Sequence, residues 1–61
     1  MEARISAIKE TLNRTRERQP DALLIIGSVS GLGEEKLRKI ADGEYTPTYS
    51  ELVTLEALAA G

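Results

Sequence analysis

Between residues 34 and 39 the chain sets five charged side chains, Glu34, Glu35, Lys36, Arg38 and Lys39, around a single leucine, Leu37. A guanidinium and two ammonium groups so spaced can donate hydrogen bonds to phosphate oxygens or to other polar acceptors. On a helix, however, Glu34 stands i,i+4 to Arg38 and Glu35 to Lys39, so plain ion pairing on a solvated face is the competing outcome. Arg14, Arg16 and Arg18 form a second basic cluster. They could clamp phosphates, each contact steepening the salt dependence of binding, or they could simply decorate a helix end with dipole-favoured charge.

Catalytic chemistry finds no comparable footing. The chain contains no histidine and no cysteine, which removes the usual general base, thiolate chemistry and the commonest metal ligands. Ser28, Ser30, Ser50 and the threonines therefore have no imidazole to activate them. Glu34 and Glu35 are adjacent, and neighbouring residues on a helix diverge by about 100°, so they cannot converge on one ion. The Gly31-x-Gly33 pair lacks the preceding strand and the third glycine of a nucleotide loop. The expectation is a non-enzyme with no cofactor, no metal and no small-molecule substrate.

Composition sets the outer bounds. Sixty-one residues form one domain, and a core with two tyrosines and no Phe or Trp must be built from Leu, Ile, Val and Ala. The longest strongly apolar run, residues 22–27, is too short to span a bilayer. The formal net charge of −2 hides an asymmetry: residues 1–18 carry five basic and three acidic groups, whereas residues 44–61 carry only Glu44, Glu51 and Glu56. An acidic domain can still present one basic face. The absence of cysteine fits a reducing cytoplasm.

Four elements must position these groups. Ile5, Ile8 and Leu12, with Thr15 continuing the stripe, predict a helix over residues 2–17 that Pro20 stops. Asp21 then offers an N-cap carboxylate or sits in the first turn of the next helix. Residues 22–30 are short and apolar, and their β-branched content would also suit a strand. Gly31 and Gly33 and the plainly helical segment that follows favour a helix. Residues 34–41 predict a third helix with Leu37, Ile40 and Ala41 inward, closed by Asp42-Gly43. Thr48 and Glu51 match a capping box, and Tyr49, Leu52, Leu55, Leu58 and Ala59 predict the inward face of a fourth helix. The result is an all-α, compact bundle of about four short helices in a single domain, residues 1–61.

Residues 23–42 resemble the helix-turn-helix unit of Cro/XRE-type phage and bacterial transcriptional regulators. Ile26 supplies an apolar position, Gly27 a small one, Gly31 the turn glycine, and Leu32, Leu37 and Ile40 the apolar side chains that fix the crossing. The likeness continues through Ile40-Ala41-Asp42-Gly43-Glu44 into Thr46-Pro47-Thr48-Tyr49 and Leu52, about two-thirds of the chain. Leu23, Leu24 and Ile25 depart from it where the family is usually polar, Glu34 and Glu35 where it often carries groove-contacting polar or basic residues, and Glu56 where a small apolar residue is commoner.

The resemblance implies a lambda-repressor-like DNA-binding domain whose third helix enters the major groove of double-stranded DNA. Glu35, Lys39 and Asp42 would point most directly outward, flanked by Lys36 and Arg38. Arg38 and Lys39 would reach guanine or phosphate, Glu35 would accept from cytosine, and Lys36 would meet phosphate beside Arg14 and Arg16. It further implies a cytoplasmic repressor in a bacterial or phage-infected cell, binding its operator as a dimer. The excess apolar residues Leu23, Leu24 and Ile25 read either as core, with one of them left exposed, or, together with Tyr45 or Leu58, as a homodimer contact centred on Leu23 and Leu24. A small helical protein–protein interaction module without DNA affinity is the competing function.

Overall fold

A computed structural model describes residues 2–60; Met1 and Gly61, the ends of the expected domain, lie outside the described residues. Four helices follow one another: α1 over Glu2–Arg18, α2 over Ala22–Ser30, α3 over Glu34–Asp42 and α4 over Tyr49–Ala60. No strand occurs among the described residues. The β-branched run in α2 is therefore helical, with Leu23 and Ile26 turned to the core and Ile25 and Val29 left exposed.

The core is a single aliphatic cluster. Ile8 and Leu12 come from α1, Leu23 from α2, Leu37, Ile40 and Ala41 from α3, and Leu52 and Leu55 from α4, with Ile5, Ile26, Leu32 and Tyr45 packed against it. Leu37 and Leu52 are fully buried. α1 lies against all three other helices, and α2 packs most extensively on α3. The backbones of α3 and α4 make no close approach, and each packs instead on α1 and α2.

Each junction uses local chemistry. Gly31 takes the left-handed conformation at φ 79° just past α2, and its N–H donates to the Gly27 carbonyl at 3.0 Å. A side chain there would clash with its own backbone, which is why glycine closes this helix. Gly43 closes α3 likewise: its N–H donates to Ile40 O at 3.2 Å and the Glu44 N–H to Lys39 O at 2.8 Å, the paired bonds of a Schellman turn. The Thr48–Glu51 capping box is formed. The Thr48 N–H donates to Glu51 Oε1 at 2.9 Å and the Glu51 N–H to Thr48 Oγ1 at 3.3 Å.

Several side chains fall differently from expectation. Asp21 occupies the N-cap position of α2 but makes no side-chain capping bond. Leu23 is 2% exposed and belongs to the core, whereas Leu24 is 50% exposed. The expected homodimer contact through both residues is therefore corrected to Leu24 alone, because successive residues on a helix point about 100° apart. Tyr49 is not inward. It stands exposed at the start of α4, with the Arg4 guanidinium 5.6 Å from its ring centroid. Leu58 and Ala59 are exposed as well, lining the rim of an apolar groove of about 200 Å³ with Ile8, Leu12, Ile26 and Leu55. Glu56 accepts from Arg4 across the α1–α4 contact.

Candidate functional site

The α2–α3 junction begins with a glycine that has no room to be anything else. A Cβ on Gly27 would lie 2.6 Å from the Glu34 amide nitrogen and 2.7 Å from the Gly33 carbonyl carbon. Both are backbone atoms at the start of α3, and neither can swing aside. The Gly27 carbonyl also accepts from the Gly33 N–H at 3.1 Å and the Ser30 hydroxyl at 3.4 Å, in addition to Gly31. One residue of α2 thus holds both the end of its own helix and the entry to the next.

Seating α3 on Leu37, Ile40 and Ala41 leaves Glu35, Arg38, Lys39 and Asp42 exposed on the far side, with Glu34 and Lys36 half-buried at its flanks. Glu35, Lys39 and Asp42 are the residues expected outward; of the two expected flanks, Arg38 is exposed with them and Lys36 is not. Beside it runs an open groove of about 560 Å³, walled by the first turns of α3 and by Tyr45.

Charge on this face is internally balanced. Arg38 Nη2 lies 3.3 Å from Glu34 Oε2, and Lys39 Nζ lies 3.9 Å from Glu35 Oε1. Both are exposed i,i+4 pairs, worth about 0.2–0.5 kcal/mol in general. A bidentate contact to a base discriminates by about 1–3 kcal/mol. These pairs are therefore weak enough to exchange for a ligand.

Lys36 is held in another way. Its Nζ donates to Glu51 Oε2 at 2.8 Å and lies 5.2 Å from the Tyr45 ring centroid. The Tyr45 hydroxyl donates to Glu51 Oε1 at 2.7 Å. Glu51 thus accepts from Lys36, the Thr48 N–H and Tyr45, and these three bonds, in that order of weight, hold its carboxyl down at about 2. The same Lys36–Glu51 bond pushes the Lys36 ammonium above its ordinary value. Lys36, expected as a phosphate contact, is placed in an ion pair with Glu51 of α4, between two helices whose backbones make no close approach.

The α1 arginines are separated by their partners. Arg14 pairs with Glu10 at 2.6 Å on an exposed face. Arg16 reaches Asp42 at 3.4 Å and also donates to Asn13, which brings it to the C-terminal end of α3. Asn13 donates to the Ala41 carbonyl at 2.8 Å, satisfying an acceptor that helix termination would leave open. Arg16 therefore borders the α3 face, while Arg14 is bound up within α1. Six of the eight basic residues stand in ion pairs.

Glu51, Tyr45 and Asn13 are the residues that the sequence alone did not single out for this face. The capping-box spacing located Glu51, but its bond to Lys36 joins positions 15 apart and has no local signature. No family model, curated protein or solved structure shows significant similarity to this chain.

Proposed function

We propose that this chain is a helix-turn-helix DNA-binding domain of Cro/XRE type, a sequence-specific transcriptional regulator that docks α3 in the major groove. The single observation that carries the reading is the Gly27 crossing. It sets α2 so tightly on the first turn of α3 that α3 projects Glu35, Arg38, Lys39 and Asp42 together. Helix-turn-helix docking needs a second helix held proud of the domain with its early residues free to meet base edges.

In this reading Arg38 and Lys39 exchange their intrahelical glutamates for guanine or phosphate acceptors, and Glu35, released by Lys39, accepts from a cytosine amino group. Arg16 adds a backbone contact beside the C-terminal end of α3. Binding acts by occluding polymerase. Two copies related by a two-fold axis would meet paired half-sites, and Leu24, Ile25 and Val29, all about half exposed or more, supply apolar surface for the pairing.

A second reading, a protein–protein interaction module on the same scaffold, draws on a specific observation. Glu34, Glu35 and Asp42 balance Lys36, Arg38 and Lys39 on α3, so this helix offers phosphates no net positive charge. Fluorescence anisotropy with mixed-sequence duplex at two salt concentrations separates the two. The DNA reading expects binding that weakens steeply with salt and falls at least about tenfold in Arg38→Ala/Lys39→Ala. Absence of binding at low salt, or indifference to that double substitution, rules it out and favours the protein partner.

A further inference from the structure

Lys36 stands on the flank of α3 next to the proposed DNA-facing set, on a helix whose other two cations are held only by exposed pairs. By charge and position it is the third cation a phosphate would attract. Yet it is the one most firmly tied. Glu51, whose side chain is only 13% exposed, takes its ammonium at 2.8 Å, and Tyr45 closes over the other side. Glu51 is itself fixed by the Thr48 N–H and the Tyr45 hydroxyl, so it cannot follow Lys36 outward. Lys36 could reach a phosphate only by leaving the largely buried Glu51 carboxylate without its ammonium partner, and such a group is costly to strand.

We propose that Glu51 withholds Lys36 from the DNA backbone and so sets the sequence-independent part of the affinity. The inference rests on the DNA-binding reading of α3. A cation free beside the docking face would strengthen binding to every sequence alike, because phosphates carry no sequence information. Holding it back lowers the sequence-independent part of the affinity and leaves the base-directed part, through Glu35, Arg38 and Lys39, untouched. Glu51 is a positioning residue here: it acts through Lys36 and does not touch DNA.

The test measures the salt dependence of binding to mixed-sequence duplex and to a site selected from a random library. Each phosphate contact contributes about 0.9 to the slope of log affinity against log salt. Lys36→Met should leave that slope unchanged. Glu51→Gln should steepen it by about one contact and raise affinity for the mixed-sequence duplex and for the selected site alike, by about tenfold at low salt, leaving the preference between them unchanged. Lys36→Met/Glu51→Gln should restore the original slope, which separates release of the cation from any loosening of α4. Circular dichroism confirms that each variant is folded. A slope reduced by about one in Lys36→Met would mean that Lys36 already meets phosphate and would overturn the proposal. A folded Glu51→Gln protein with unchanged slope and unchanged affinity for mixed-sequence duplex would overturn it too, with the DNA reading intact. Failure of the unsubstituted protein to bind any duplex would remove both.

Discussion

Gly27 and Glu34 meet backbone to backbone, at a distance where a single added methyl would fall 2.6 Å from the Glu34 nitrogen. No rotamer change relieves such a contact, so the α2–α3 crossing and the identity of residue 27 are one property. The neighbouring glycine is required for another reason. Gly31 has nothing within 4 Å of a would-be Cβ, but its φ of +79° is a conformation L side chains rarely adopt.

Alanine at these two positions should therefore destabilise by different routes. Gly27→Ala gains about 1 kcal/mol of helix propensity but overpacks against immovable backbone, a cost of about 1–3 kcal/mol or more. Gly31→Ala meets no clash and loses about 1–2 kcal/mol to backbone strain. Urea denaturation should find both variants less stable. Amide chemical shifts at Gly33 and Glu34 should move strongly in Gly27→Ala and little in Gly31→Ala. Equal displacement in the two would contradict this assignment.

Leu23 and Leu24 provide a sharp pair for the core. Leu23→Ala removes a side chain 2% exposed and should cost about 3–5 kcal/mol, enough to unfold much of a domain this small. Leu24→Ala, at a half-exposed position, should change stability by about 0.5 kcal/mol or less. Thermal melts of the two variants decide whether the apolar run in α2 divides in this way.

Acid should loosen the α3–α4 tie through Glu51. Its carboxyl is held at about 2 against an ordinary value of 4.5. A depressed folded-state value contributes stability that is complete above the unfolded value and lost as pH falls through the folded one. The melting temperature should accordingly decline between about pH 4.5 and pH 2, and Glu51→Gln should flatten that decline. An acid limb equally steep in the variant would assign it to Glu56, whose carboxyl Arg4 also lowers.

Asn13 should report on the far end of α3. Asn13→Ala leaves the Ala41 carbonyl without its 2.8 Å donor and should cost about 1 kcal/mol. Hydrogen exchange should be faster at the amides of Gly43 and Glu44, which close this helix end, while those of α4 stay protected.

Much of this architecture was legible in the chain. Ile8, Leu12, Leu37, Ile40, Leu52 and Leu55 announce their burial by helical spacing, and Gly31, Gly43 and the Thr48–Glu51 box mark the ends where they occur. The outward set on α3 follows from the same spacing. What was not legible depends on neighbours remote in sequence. Tyr49 has the right period to face inward, but α1 presents Arg4 there instead of an apolar wall. Leu58 has the inward period too, but it lines an open groove with Ile8, Leu12 and Ile26 and stays part-exposed. Lys36 carries no local mark of its tie to Glu51, and Leu23 and Leu24 are equally apolar with opposite surroundings. Periodicity sorts faces; it does not say which polar groups will find each other across the bundle.

The most direct test of the central claim is a two-dimensional amide NMR titration of the folded protein with mixed-sequence duplex at low salt. The account predicts shift changes concentrated at Glu35, Arg38, Lys39 and Asp42 and extending to the Gly31–Gly33 turn, all reversed by added salt. An unchanged spectrum, or changes confined to the exposed apolar residues Ile25, Val29 and Leu58 with none on α3, would contradict it.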